Sequence, residues 1–113
     1  MKQYDEAIED YSKAIQLDES YAKAYKARAK AYKKRNGASD VENAISDYSK
    51  AIYLDSQFAE AYYDRGLLRE KNNNIDEALD DYRQAILINP KYTAVYNSRA
   101  HTYLKKKTAI TMK

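Results

Sequence analysis

Four lysines in the first third of the chain recur at a spacing that places them on one face of a helix. They are separated by three, four and three residues, at Lys23, Lys26, Lys30 and Lys33. Side chains at these intervals are neighbours on a helix surface. The surrounding stretch, 21–35, holds seven lysines or arginines and no acidic residue. A face with one sign of charge attracts the opposite sign, so the chemistry indicated is reversible binding of carboxylates, with a solvated helix face of no binding role as the alternative.

Residues that could support catalysis or metal binding are sparse. The chain has no cysteine, which excludes disulfides, thiolate metal sites and cysteine nucleophiles. His101 is the single histidine, and we expect it to be a polar surface or groove residue rather than a metal ligand or a catalytic group. The sequence contains no glycine-rich phosphate loop. It therefore predicts a noncatalytic protein that holds neither a metal nor a cofactor.

The composition predicts a folded helical domain. Hydrophobic residues make up 44% and charged residues 33% of 113 residues, which is typical of a globular protein. Two glycines and one proline are too few for the turns of an all-β protein. No apolar run is long enough to span a membrane. The N-terminus lacks the apolar segment of a signal peptide, so a cytoplasmic location is expected.

A twelve-residue pattern occurs three times: YDEAIEDYSKAI at 4–15, VENAISDYSKAI at 41–52 and IDEALDDYRQAI at 75–86. The copies are 37 and 34 residues apart, as shown by Ala7, Ala44 and Ala78. Their apolar residues fall at spacings of three and four, which indicates amphipathic helices. A second type of helix recurs between them at the same intervals, marked by Tyr25, Tyr62 and Tyr96. Helical hairpins of this period bury their apolar faces by stacking on one another.

The two types of helix alternate along the chain. We name the first type B and the second type A. The B helices are expected at 3–17, 40–54 and 75–88, and the A helices at 21–35, 58–71 and 91–106. The predicted fold is all-α with about six helices.

Residues 59–92, AEAYYDRGLLREKNNNIDEALDDYRQAILINPKY, resemble a full unit of the tetratricopeptide repeat family. The signature positions are occupied by Tyr62, Gly66, Ala78, Tyr82, Ala85 and Pro90. The resemblance covers nearly the whole chain and implies a right-handed superhelical solenoid of antiparallel helix pairs. In that fold 1–113 form one domain. Its parts are a B half repeat at 1–21, a repeat with three inserted residues at 22–58, a full repeat at 59–92, an A half repeat at 93–106 and a tail at 107–113.

The resemblance also implies a function, the binding of a peptide or helix in a concave groove lined by the A helices. The groove residues it implies are Lys23, Lys26, Lys30, Lys33, Glu60, Tyr63, Asp64, Leu67, Asn97 and His101. An acidic peptide or a C-terminal carboxylate is the expected guest. Some family members grip the C-terminal Glu-Glu-Val-Asp of heat-shock chaperones with lysines, asparagines and an arginine. Lys26 matches the first lysine of this clamp, but its other positions hold Lys30, Asp64, Ala94 and Ser98, so that clamp is not expected.

Other recurring residues predict contacts between the helices. One A-helix position holds Arg28, Arg65 and Arg99, and one B-helix position holds Asp10, Asp47 and Asp81. Because a guanidinium group suits a bidentate carboxylate partner, we expect a structural ladder of Arg–Asp pairs, with ligand binding by the arginines as the alternative. Equivalent packing roles are expected for Tyr11, Tyr48 and Tyr82. The segment SDVE at 39–42 indicates a capping box at the start of a B helix.

Two other functions are open at this point. A nucleic-acid-binding solenoid is the lesser alternative, since the lysines could neutralise phosphates and the tyrosines could stack on bases. Self-assembly is the other, because the outer helices carry the apolar residues Tyr4, Ile8, Val95 and Tyr103. The first B helix of one chain would then dock on the last A helix of another, giving a head-to-tail homo-oligomer. A monomer results instead if the tail folds back through Ile110 and Met112, or if the natural caps lie outside this sequence.

Overall fold

The computed structural model describes the backbone of residues 2–111 and the side chains of residues 2–108. The helices are α1 (Lys2–Leu17), α2 (Ala22–Arg35), α3 (Asp40–Leu54), α4 (Ala59–Lys71), α5 (Ile75–Ile88) and α6 (Thr93–Thr111). Each helix packs against the helices next to it in sequence, and α4 also contacts α6. The prediction of an all-α fold with six helices in antiparallel pairs is confirmed. None of the helices in the described part of the chain is long and apolar enough to cross a membrane.

The predicted helix ends are correct to within one residue for α1 to α5, whereas α6 differs at both ends. It begins at Thr93 rather than at residue 91, after a turn in which the Tyr92 amide donates to the Asn89 carbonyl. It continues to Thr111, so residues 107–111, which were expected to form a tail, belong to the helix. These residues include no glycine or proline that would end a helix. The side chains of Ile110 and Met112 lie outside the described residues.

The three inserted residues were expected in the loop between α2 and α3, but this loop is only one residue longer than that between α4 and α5. The other two lengthen the helices, since α2 and α3 are each one residue longer than α4 and α5. Asn36 ends α2 in the left-handed conformation, with φ of 53°. The predicted capping box is wrong, because Ser39 forms no side-chain hydrogen bond to the helix. Asp40 instead accepts the Gly37 amide at 2.7 Å and binds Arg35 through both carboxylate oxygens, at 2.8 and 2.9 Å. Hydrogen bonding from Arg35 lowers the pKa of Asp40 to about 2, although burial opposes the shift.

Small and aromatic residues form the core where the helices meet. Two clusters are centred on Tyr48 of α3 and Tyr82 of α5, both of which are 0% exposed. Buried alanines surround them and let the helix backbones approach closely. The predicted packing role is therefore confirmed for these two tyrosines. Tyr11, the equivalent in α1, is only half-buried, because one side of α1 has no helix packed on it in the described structure.

Gly66 allows α4 to approach α5 closely. A Cβ atom at this position would lie 2.7 Å from the Tyr82 ring, well inside van der Waals contact. The absence of a side chain on Gly66 thus gives the tyrosine room to be buried against the α4 backbone.

Charged pairs hold each A helix to the following B helix. Both oxygens of Asp47 accept hydrogen bonds from Arg28, at 2.7 and 2.8 Å. Arg65 binds Asp81 in the same way, at 2.8 and 3.0 Å. Each arginine also donates to a serine of the preceding B helix, so one guanidinium group connects three helices. The predicted structural ladder is confirmed at these two positions.

The ladder prediction is wrong for its outer members. Asp10 is exposed, and neither Asp10 nor Arg99 forms an ion pair with any described residue; the Arg99 guanidinium lies over the ring of Tyr96, at 5.5 Å. Asp10 and Arg99 are unpaired because Asp10 faces no described helix with a ladder arginine, and Arg99 faces none with a ladder aspartate. Two apolar residues that were expected on the uncovered faces are also buried, Ile8 at 9% exposure and Val95 at 0%.

The buried ring and the hydroxyl of Tyr48 are predicted to have opposite effects on stability. Tyr48→Ala should lower the free energy of unfolding by about 3 to 5 kcal/mol, because it leaves a large cavity. Tyr48→Phe should be neutral or stabilising by up to about 1 kcal/mol, because the buried hydroxyl finds no hydrogen-bond partner among the described residues. Urea unfolding followed by circular dichroism measures both. Tyr82→Phe is the control and should lose stability, since the Tyr82 hydroxyl donates to Glu70 at 3.2 Å.

The ladder generates a prediction with a matched control at the same repeat position. Asp47→Ala leaves Arg28 without its carboxylate and should destabilise the protein by about 2 to 3 kcal/mol. Asp10→Ala should change stability by less than about 0.5 kcal/mol, because Asp10 is exposed and unpaired within the described chain. Urea unfolding at low protein concentration compares them. Equal effects of the two substitutions would contradict a stabilising role for the Arg–Asp pair.

Candidate functional site

The A helices α2, α4 and α6 form a continuous surface, which we name the A-helix surface. Lys26 and Lys30 of α2 both contact the carboxylate of Glu60 on α4, Lys30 at 3.2 Å. The Tyr63 hydroxyl of α4 lies 3.0 Å from the Ser98 hydroxyl of α6. These contacts connect residues that the sequence predicts for the groove. Whether this surface binds a ligand remains a prediction.

Lys23, Lys26, Lys30 and Lys33 of α2 form a row that we name the lysine stripe. Its positive charge is partly neutralised by acidic residues of the same chain. Hydrogen bonding from Lys26 is the main cause that holds the pKa of Glu60 below its usual value, with Lys30 acting in the same direction and burial opposing it. Glu60 is therefore ionised near neutral pH and occupies two of the four lysines. Lys23 is exposed, and Lys33 is half-buried at the far end of the stripe. Neither of these two lysines forms an ion pair with a described residue, although the charge of Lys33 acts on Asp64.

Asp64 is a buried carboxylate on the A-helix surface. It is 6% exposed, and its Oδ2 atom has no hydrogen-bond partner in the described part of the structure. Burial raises its pKa, and the charge of Glu60 acts in the same direction, whereas Lys33, Lys30 and Lys26 oppose the shift. A buried acceptor without a partner is energetically costly unless something donates to it. The Oδ2 atom is itself buried, so Asp64 can act on a ligand only through its charge and not through a direct hydrogen bond from this oxygen.

Tyr63 and Leu67, both predicted for the groove, also pack within the fold. The Tyr63 ring lies 5.3 Å from the ring of Tyr92 and 6.0 Å from that of Tyr82. Leu67 packs on the core cluster centred on Tyr82. The buried parts of the Tyr63 and Leu67 side chains stabilise the fold, so only their exposed parts are available to a ligand.

A shallow depression lies where α4 meets α6. It has a volume of about 450 Å³ and includes three of the predicted groove residues, Leu67, Asn97 and His101. Asn97 and His101 are exposed. The depression offers an amide, an imidazole and an apolar floor, a combination that suits reversible contact with a peptide side chain.

Sequence reasoning did not recognise Glu70 as a connector of helices. Its carboxylate accepts hydrogen bonds from the Tyr82 hydroxyl at 3.2 Å, from Thr102 at 3.1 Å and from Lys105 at 3.4 Å. The available signal was Thr102, a polar residue at a position where the other A helices carry Leu68 and Ala31. Such a residue is buried only when its hydroxyl has a partner.

A second depression lies between α1 and α2, beside the face of the first B helix that was expected to dock a second copy. It has a volume of about 340 Å³ and is lined by Tyr4, Ala7, Tyr11, Ala27 and Ala31, with lysines at its edge. The signal for it was the order of the helices, because the first B helix has no A helix before it in this sequence.

Several solved structures resemble the chain. The first TPR of Spaghetti (RPAP3), bound to the HSP90 peptide SRMEEVD, is 26% identical with a TM-score of 0.87, over 94% of this chain and 82% of that one. The second TPR domain of human RPAP3, in complex with the HSP70 peptide SGPTIEEVD, is 28% identical with a TM-score of 0.81, over 90% and 82%. MamA is 30% identical with a TM-score of 0.85 over 92% of this chain, which spans 55% of the MamA chain.

Comparison with family models covers most of the sequence. A model described as TPR repeat matches residues 1–36 and 39–73, and one described as tetratricopeptide repeat matches 59–92. Neither model describes an enzyme family. No significant match was found among curated proteins. The repeated helix pairs, the Gly66–Tyr82 contact and these matches lead to one conclusion: the chain belongs to the tetratricopeptide repeat family.

Proposed function

We propose that the chain is a noncatalytic interaction module that binds an extended peptide or a helix of acidic character on the A-helix surface. The observation that carries the proposal is the placement of the lysine stripe beside a surface that connects α2, α4 and α6. The four lysines of the lysine stripe outnumber the three carboxylates of α4 on this surface, Glu60, Asp64 and Glu70. The RPAP3 relatives support the proposal, since each is seen with an acidic peptide.

The binding mode that we propose differs from the clamp of lysines, asparagines and an arginine with which some family members grip a C-terminal Glu-Glu-Val-Asp. Lys26, the one residue that matches the clamp, is 17% exposed and engaged with Glu60. Asp64 occupies a position where the clamp requires an asparagine, and its unpaired oxygen repels a terminal carboxylate. We therefore assign the attraction of acidic side chains to Lys23 and Lys33, and a repulsive effect on nearby carboxylates to the charge of Asp64.

Two alternatives use other features of the molecule. Nucleic-acid binding is disfavoured, because Glu60 and Asp64 lie on the A-helix surface and the largest tyrosine clusters are in the core. Self-association uses the outer faces of α1 and α6, and the depression between α1 and α2 that it would fill has Lys26 and Lys30 at its edge. His101 and the scattered carboxylates are assigned no catalytic role.

The first test measures the contribution of the two more available lysines. Lys23→Gln combined with Lys33→Gln should weaken binding of fluorescein-labelled SRMEEVD about five- to tenfold at low salt, because each exposed charge contributes up to about 1 kcal/mol. Fluorescence anisotropy gives the dissociation constant. Lys13→Gln combined with Lys50→Gln removes two exposed lysines from the B helices and should leave affinity unchanged. A similar loss in both double variants would reject the assignment of the site to the A-helix surface.

The second test concerns Asp64. Asp64→Asn removes the repelling charge and should tighten binding of SRMEEVD at least about threefold near neutral pH. Because burial raises the pKa of Asp64, the wild-type carboxylate takes up its proton at a higher pH than an exposed aspartate does. Wild-type affinity should therefore approach that of the variant as the pH falls through this range. The same anisotropy titration, repeated against pH with both proteins, checks this. A constant ratio of the two affinities would show that Asp64 does not face the peptide.

A further inference from the structure

Each internal helix of type A lies in a seat formed by the next B and A helices. α2 contributes Ala29, which is fully buried against Ala44 and Tyr48 of α3 and Leu68 of α4. Tyr25 and Tyr32 of α2 pack at the edges of the same cluster. The seat and the face that fills it therefore have defined residues at defined repeat positions.

An empty seat of the same kind lies between α1 and α2. Counting back 37 residues from Ala44, Tyr48 and Leu68 gives Ala7, Tyr11 and Ala31. These three residues line the 340 Å³ depression between α1 and α2. No described helix covers it.

The face that would fill this seat is exposed on α6. Counting forward 71 residues from Tyr25, Ala29 and Tyr32 gives Tyr96, Ala100 and Tyr103. All three are exposed, although their equivalents in α2 pack on the core, and the exposed fraction of Tyr103 is 53%.

The charges of the two faces are complementary as well. Asp10 projects from α1 at the position that Asp47 and Asp81 occupy in α3 and α5. Arg99 projects from α6 at the position that Arg28 and Arg65 occupy in α2 and α4. The inner residues form bidentate pairs, whereas Asp10 and Arg99 form no ion pair with any of the described residues.

We propose that the seat between α1 and α2 binds α6 of a second copy of this chain, with Arg99 of one copy paired to Asp10 of the next. The contact repeats the internal packing of α2 on α3 and α4 and continues the solenoid across the junction. It joins two different surfaces, so it leads to a ring or to an open chain of copies. A second copy is the occupant because Ala7, Tyr11 and Asp10 on one face and Tyr96, Ala100, Tyr103 and Arg99 on the other repeat the residue types of the internal contact, with Ala31 in the place of Leu68. The proposal does not depend on peptide binding.

Charge reversal tests the pairing. Asp10→Arg and Arg99→Asp each place like charges opposite one another at every junction, and each should raise the dissociation constant for self-association by at least about tenfold. Sedimentation velocity over a range of concentrations measures it. The wild-type protein should shift to larger species as concentration rises. Glu42→Arg, which reverses an exposed charge on α3, is the matched control and should behave as the wild type.

Mixing the variants makes the test specific. Asp10→Arg and Arg99→Asp should each remain monomeric alone but associate when mixed, because every junction between unlike copies again joins opposite charges. The double variant carrying both substitutions should recover self-association. Circular dichroism confirms that each variant is folded. A wild-type protein that stays monomeric at high concentration overturns the proposal, and so does association that neither the single reversals nor the mixing changes.

Discussion

The helices of this protein bury their apolar residues almost entirely against helices adjacent in sequence, so every stabilising contact must be made within a short stretch of chain. The chain meets this constraint with two types of contact that recur along the stack. A buried tyrosine, Tyr48 or Tyr82, fills the space between helices, and alanine or Gly66 opposite it allows the close approach. An arginine then fixes the relative position of three helices by binding an aspartate on one side and a serine on the other. The core and the A-helix surface both result from this packing.

The parts of the fold that repeat could be predicted from the sequence, because a recurring residue at a fixed interval has a recurring environment. This logic gave the helix ends of α1 to α5, the burial of Tyr48 and Tyr82, and the inner Arg–Asp pairs. It failed where a residue has no equivalent neighbour. Asp10 and Arg99 have the correct residue types but face no partner helix in the described structure, and Tyr11 is half-buried for the same reason.

The candidate site was less predictable than the fold, because its properties depend on which charged side chains reach each other across helices. Spacing alone placed Lys26 and Lys30 on one face of α2, but it did not reveal that both bind Glu60. Nor did it reveal that Asp64 is buried with an unpaired oxygen. Distances of a few ångströms between side chains from different repeats decide these features, and the spacing of residues along one helix does not give those distances.

The loop between α2 and α3 lets this repeat be longer than the next one without changing how its helices pack. The three additional residues of this repeat leave its inner Arg–Asp pair and its buried tyrosine in place. Asn36 turns the chain away from the helix, and Asp40 fastens the loop to Arg35 and Gly37 on its return. A segment with both of its ends anchored in this way tolerates further change in length at little cost in closure entropy. It is therefore the natural place to insert a fluorophore or a small folded tag without disturbing the stack of helices.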